Sequence, residues 1–366
     1  MKKSPFYFMH VKEGALMGTG AWSSPQKYTD PVEEHFAVRN NIGVTDFSTM
    51  SKFDIQGPDA AAYLQKLIVN DMRKLIPGKV LYSCMVNEEG GMFDDTTVYM
   101  YNDEHYMLVG STACRYKDIP WLEKHKEGME VYVTDITSAY GLLSVQGPKS
   151  RLLLNKICAD SVDGLKYFHF IKTKIEDINV LVSRTGFTGE VGFELYISSE
   201  DCVDVWDKVK EYGEKYDLRF VGMQAASGTL RLEKGYIGGN DYGEHTNPYE
   251  VGLGWTVADD KDFIGSAALK KVHDEGPKKS LVGFRIADKT KIAKNKADVI
   301  YDGKGIGFVT SATLSPTYGI SFGMMFIDSR YAKIGNKVEI MVDEGAVEAE
   351  VANKCLHDPE MKILKG

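Results

Sequence analysis

The chain has 366 residues, 43% apolar and 26% charged, with a formal net charge of −8. That length exceeds one simple core and predicts two or three domains, and the acidic balance excludes a general nucleic-acid binder, which needs a basic face. The five cysteines, at 84, 114, 158, 202 and 355, include no Cys-x-x-Cys, so neither a disulfide framework nor a zinc site is expected and a reducing, cytoplasmic setting fits. The N-terminus lacks the continuous apolar core of a signal peptide, and no apolar run is long enough to span a membrane.

In chain order, residues 30–43 predict a short helix: Asp30 caps it, Pro31 suits its first position, and Asn40, Asn41 and Gly43 punctuate its end. Residues 51–68 read as strand, Gly-Pro-Asp turn and helix. Residues 141–157 repeat that arrangement, with Gln146-Gly147-Pro148 in place of Gln56-Gly57-Pro58. Between the copies, 78–101 predicts a hairpin about Gly90-Gly91, 104–112 a further strand, and 116–126 a helix interrupted by proline. Strands at 178–186 and 192–198 lead to a helix at 202–216 with Val205, Trp206 and Val209 on its apolar face. After about residue 275 helix signals fade and an all-β module is expected, giving an α+β chain.

Three stretches carry chemical interest. In "NEEGGMFDDTTVYMY" (87–101), Asp94 and Asp95 stand together where a strand begins, and alternation lets only one of them readily face the interior. In "SRTGFTGEVGFEL" (183–195), Glu194 points away from Phe193 and Leu195, onto either a solvated face or a functional one. Glycines crowd around Tyr236, Asn240 and Asp241 in "GTLRLEKGYIGGNDYGEHTNPYEVGLGW" (228–255), which suits a lined cavity or a structural connector. "GKGIGF" (303–308) reads as a hairpin turn rather than a nucleotide loop, and the histidines are scattered with no metal-ligand spacing.

The ordered set "HFAVRNNIGVTDFS", "GPDAAAYLQKLIVNDM", "GKVLYSCMVNEEGGMFDDTTVY", "SVQGP", "SRTGFTGEVGFEL", "LRLEKGY", "TNPYEVGLGW", "DFIG" and "VTSATLSPT" resembles the glycine-cleavage T-protein family of folate-dependent aminomethyltransferases and their demethylase relatives. The resemblance implies a three-domain cloverleaf around a tetrahydrofolate site. Residues 1–50 with 136–260 would form a discontinuous folate-binding domain, 51–135 an inserted domain carrying the catalytic carboxylate, and 261–366 a barrel-like domain. It implies Asp95 as the catalytic carboxylate at N5 of tetrahydrofolate and Glu194 as the acceptor for the pterin edge. Tyr82, Tyr99, Phe187 and Tyr236 would lie beside the ligand rings, and Ser111 falls where the family has asparagine. No metal is implied.

The sequence departs from the family pattern at Ser227 and Gly228, where an arginine and an aspartate are usual, and at Thr49, where histidine is usual; one extra residue precedes "LRLE". On those departures, transfer of a methyl or methylene group from a small methyl or aminomethyl donor ranks ahead of the orthodox version, which takes aminomethyl from a lipoyl carrier protein. A non-catalytic folate binder or assembly factor is the third reading. Lys289, Lys291, Lys294 and Lys296 form either an attraction for the anionic folate tail or a solvated loop.

Overall fold

The computed structural model describes residues 1–365. Its main elements, in chain order and leaving aside short two- and three-residue strands near the N-terminus, are α1 (Tyr7–Lys12), α2 (Pro31–Asn40), β1 (Ile42–Asp46), β2 (Ser51–Gln56), α3 (Ala60–Leu67), β3 (Val80–Val86), β4 (Met92–Asn102), β5 (His105–Gly110), α4 (Arg115–His125) and β6 (Tyr132–Asp135). There follow β7 (Tyr140–Gln146), α5 (Ser150–Ile157), β8 (Phe170–Ile175), β9 (Ile178–Ser183), β10 (Gly192–Ser198), α6 (Cys202–Gly213), β11 (Leu218–Phe220), a π-helix (Gln224–Leu230), α7 (Arg231–Lys234) and α8 (Ser266–Glu275). The C-terminal strands are β12 (Lys279–Ile286), β13 (Asp298–Tyr301), β14 (Lys304–Leu314), β15 (Ser321–Asp328), β16 (Lys337–Val342) and β17 (Gly345–Ala352). Among the described residues no helix is long and apolar enough to cross a membrane.

Local sequence dictates several boundaries. The Asp30 carboxylate accepts the Val32 N–H at 2.7 Å, capping α2 just before Pro31. Helix α4 runs through Pro120 instead of breaking there. The carbonyl freed by the missing N–H is that of exposed Tyr116, where water can satisfy it. On α6, Val205, Trp206 and Val209 all point into the core, and the Trp206 ring stacks on Phe220 at 3.9 Å.

Three sheets organise the chain: β8-β9-β10-β7-β1-β11, β6-β2-β5-β4-β3, and a closed barrel β12-β15-β14-β13-β16-β17. The duplicated Gln-Gly-Pro marks a true structural repeat. The unit β2-α3-β3-β4-β5-α4 pairs its strands in the order β2-β5-β4-β3, and β7-α5-β8-β9-β10-α6 pairs as β7-β10-β9-β8. The two copies meet edge to edge. Lys79 bridges His169 antiparallel, and the Val80 and Phe170 N–H groups donate to Phe168 and Gly78 carbonyls, each at 2.8 Å. The β3 and β8 edges therefore satisfy each other's backbone groups at this end.

Each sheet has its own apolar core, and two further clusters fill the seams between them. One seam holds Phe47, Val80, Tyr99, Phe170, Leu181 and Tyr196; the other joins Cys84, Met92, Leu232 and Val251 to Phe322 and Met324 of the barrel. At about 1.5–3 kcal/mol per fully buried large side chain, these seams fix the sheets relative to one another.

A polar hub reinforces them. Glu233 of "LRLEK" accepts from Arg39 of α2 (2.9 Å), Ser315 (2.6 Å) and Thr317 (2.9 Å), and lies 3.4 Å from His35. Burial holds the His35 imidazole down at about 4, so it is neutral at physiological pH. Arg39 also pairs with Glu190, which contacts His357 at 2.7 Å. Because Glu233 is fully buried, Glu233→Ala leaves the Arg39 charge half-compensated. The expected loss is about 3–5 kcal/mol, read as a lowered thermal midpoint.

Candidate functional site

Strand β4 sorts its two carboxylates by alternation. Val98 and Met100 face the core of the second sheet, and Tyr99 faces the seam. Asp94 accordingly turns towards α4 and is fully buried, while Asp95 turns with Tyr99 towards the seam side and is half-buried. The Tyr82 hydroxyl donates to Asp95 Oδ2 at 2.8 Å, and the Asp95 N–H donates to Asp94 Oδ1 at 3.0 Å. Burial raises the Asp95 carboxyl above the usual range, opposed by hydrogen bonds from Tyr82 and Tyr242.

Tyr242 arrives on the glycine-rich stretch 235–253. A Cβ on Gly91 would sit 1.9 Å from the Glu244 carbonyl oxygen, so only glycine lets this stretch lie against the β3–β4 turn. The Met92 N–H then donates to Thr246 O at 2.7 Å, and the Tyr242 hydroxyl reaches Asp94 Oδ1 at 3.2 Å. The stretch is thus also a connector: Asp241 binds Arg231, Thr310 and Ser311, tying it to the barrel. On the other side of Asp95, the Tyr82 ring stacks on Trp255 at 6.1 Å, and that indole is 68% exposed.

Glu194 occupies the facing sheet. Phe193, Leu195 and Ile197 enter that sheet's own core, which sends Glu194 and Tyr196 to the seam. Thr185 donates to Glu194 Oε2, and Oε1 has no protein donor among the described residues. Burial raises the Glu194 carboxyl, opposed by Thr185 and by the charge of Lys52. The Lys52 ammonium is fully buried and donates to the Ser48 and Met50 carbonyls at 3.1 and 2.9 Å. Tyr99 is itself fully buried; its hydroxyl sits 2.9 Å from that of Tyr196 and 3.5 Å from Thr185 Oγ1. Asp95 and Glu194 therefore lie on facing strands, joined through the touching hydroxyls of Tyr99 and Tyr196.

Phe187 and Tyr236 stack at 5.7 Å with an 8° interplanar angle, and Phe187 meets Phe47 edge-on. Among the described residues the buried Tyr236 hydroxyl has no hydrogen-bond partner, nor has Ser111 Oγ, while the Ser111 N–H donates to Asp94 Oδ2 at 2.9 Å. Two surface clefts of about 200 and 350 Å³ contain none of Asp95, Glu194, Tyr82, Tyr99, Ser111, Phe187 and Tyr236.

The departures from the family pattern acquire a physical reading. The seven-residue π-helix Gln224–Leu230 spans the extra residue before "LRLE", and a π-turn accommodates an added residue without disturbing the helix that follows. Arg231 and Glu233 keep buried partners, while Ser227 lies half-buried with its hydroxyl 3.6 Å from Met223 Sδ. Thr49 Oγ1 lies 2.8 Å from Thr112 Oγ1. Lys291 and Lys294 pair with Glu344 and Asp343 of the neighbouring turn, as in a solvated loop.

Comparisons with known proteins add to this geometry. The GCVT N-terminal domain matches residues 6–261, and the glycine cleavage T-protein C-terminal barrel domain matches 279–358. The chain belongs to the glycine-cleavage T-protein family. It is similar to an aminomethyltransferase of Halothermothrix orenii, 39% identical over 96% of this chain and 98% of that protein. It is also similar to an aminomethyltransferase of Bacteroides thetaiotaomicron, 40% identical over 92% and 94%. The crystal structure of the glycine cleavage system aminomethyltransferase T from Bartonella henselae superposes with a TM-score of 0.90 at 26% identity, covering 100% of this chain and 99% of that one. The protein is an enzyme of the aminomethyltransferase type, with the α+β cloverleaf and closed C-terminal barrel of the family. The ranking of a small non-standard donor ahead of the orthodox reaction is corrected by these full-length matches: the departures at Ser227 and Thr49 are local, and the frame around them is kept.

Proposed function

We propose that this protein transfers the carbon of an aminomethyl group, carried on a lipoyl arm of a partner protein, to tetrahydrofolate with release of ammonia. The observation that supports this most is Asp95: a seam-facing carboxylate, fixed through both backbone and side chain, across from a second buried carboxylate with an open acceptor. In this reading the Glu194 carboxylate accepts from the amino and ring N–H groups of the pterin edge, one on each oxygen with Oε2 also keeping Thr185, and two parallel charge-assisted bonds set the ring's orientation. Asp95 orients N5, takes its proton and passes it to the departing amine as N5 attacks the aminomethyl carbon and the C–N bond breaks to release ammonia; N10 then displaces the lipoyl sulfur, which leaves as the thiol with the N10 proton, and the methylene bridge closes. Tyr236 and Phe187 give the ring an apolar wall, Tyr82 steers the Asp95 carboxylate, and Tyr99 acts through Thr185 on Glu194. Ser111 belongs to the Asp95 surroundings through Asp94. In this reading residues 1–50 with 136–260, 51–135 and 261–366 are the three domains, which the separate sheets support, and five free thiols suit a cytoplasmic setting.

The test is a single-turnover assay offering tetrahydrofolate an aminomethylated lipoyl carrier, or small methylated and aminomethyl donors. Methylene-tetrahydrofolate and ammonia with the carrier alone are expected; product only from a small methyl donor would refute the reading. Tyr82→Phe provides a further check. Removing a donor to the carboxylate raises the Asp95 pKa further. Activity that requires the ionised form then falls at higher pH on the acid side, with about a tenfold loss at the acid end. A pH–rate profile reads this directly.

A further inference from the structure

We propose that Asp94 and Asp118 form a proton-sharing carboxyl pair that positions the catalytic Asp95 from behind; the catalytic part of this inference rests on the reading given above. Both side chains are fully buried. Asp94 accepts three donors on its two oxygens: the Asp95 N–H (3.0 Å), the Tyr242 hydroxyl (3.2 Å) and the Ser111 N–H (2.9 Å). Among the described residues Asp118, on α4, has a single long donor in the Ser51 hydroxyl at 3.4 Å, and its Oδ1 has none. The two Oδ2 atoms crowd one point: a Cβ on Gly110 would lie 2.4 Å from that of Asp94 and 3.1 Å from that of Asp118.

The titratable groups facing the pair are Asp95 and Cys84 from β4 and β3, Tyr242 from the connecting stretch, and Cys114 and Lys117 from the α4 end. Lys117 is the one cation among them, and its ammonium is paired with Glu244. Two carboxylates this close and this buried do not both ionise. Burial and the neighbouring Asp118 charge push Asp94 far up, while Asp118 rises only to about 6. At neutral pH the pair holds one proton between Asp94 and Asp118. The pair behind the Asp95 N–H and the Tyr242 hydroxyl therefore carries one negative charge instead of two beside the reacting carboxylate.

Two measurements decide this. Infrared difference spectra of the whole protein near pH 8 are expected to show the carbonyl stretch of a protonated carboxyl, lost in Asp94→Asn. In single-turnover transfer, Asp94→Ala is expected to lose about 100-fold in rate with unchanged tetrahydrofolate affinity, and Asp94→Asn to recover to within about tenfold, because the amide also donates to Asp118. Absence of the band, or an Asp94→Asn protein that keeps the native thermal transition yet is as slow as Asp94→Ala, overturns the proposal. The infrared arm requires no turnover: if the wild-type protein shows the band and binds tetrahydrofolate but transfers no carbon, the reaction reading fails while the pair itself stands.

Discussion

Asp95→Asn is expected to cut one-carbon transfer by about 10²–10⁴-fold while leaving tetrahydrofolate affinity within about threefold. Asparagine keeps an oxygen for the Tyr82 hydroxyl, which donates at 2.8 Å, so the local frame survives. What disappears is the charge and the basicity. Burial raises the wild-type carboxyl, which makes it a stronger base than an exposed aspartate and moves the acid limb of the rate profile above the ordinary carboxylate range. Rapid-quench turnover with equilibrium folate binding on the same preparation separates the two effects. An Asp95→Asn enzyme of normal rate would assign the chemistry elsewhere.

Glu194→Gln is expected to act on binding instead. Glutamine retains an acceptor for Thr185, but its amide puts N–H groups towards the N–H groups of the pterin edge. Charge-assisted hydrogen bonds are worth about 1.5–3 kcal/mol each, so an affinity loss on the order of 100-fold follows. Transfer at saturating folate should fall much less. The pH dependence has a definite sign: burial raises Glu194, and the ionised form binds, so wild-type affinity weakens as pH falls through that raised pKa. Glutamine removes this slope. Calorimetric titration across pH reads both the loss and the flattening; an unchanged affinity would remove Glu194 from the ligand site.

Much of this arrangement could be read from local pattern. Period-two alternation placed Glu194 opposite Phe193 and Leu195, and the structure puts it on the seam face with Tyr196. The paired Gln-Gly-Pro turns announced a repeat whose strand order is the same in both copies. The terminal β module was visible as strands without helix signals and closes into a barrel. Residues whose importance comes from distant partners were not visible. Tyr242 reaches Asp94 across 148 positions because glycine at 91 admits the Glu244 backbone. Asp118 falls within the 116–126 helix, and nothing in its spacing tells of Asp94 or Gly110. Thr185 and Trp255 stood inside quoted motifs, but their partners Glu194 and Tyr82 are set by the fold. The weight given to Ser227 came from treating one substitution as a change of pocket, when a π-turn spans the added residue and Arg231 keeps its buried partner.

The central claim is that two carboxylates on facing sheets hold one reduced pterin, one at its reactive nitrogen and the other at its far edge. A crystal structure of the protein soaked with tetrahydrofolate tests it most directly. The expected result is N5 within hydrogen-bond reach of Asp95, directly or through one water, with the amino edge against the Glu194 carboxylate. A pterin bound elsewhere, or seated with its amino edge turned away from Glu194, would contradict it.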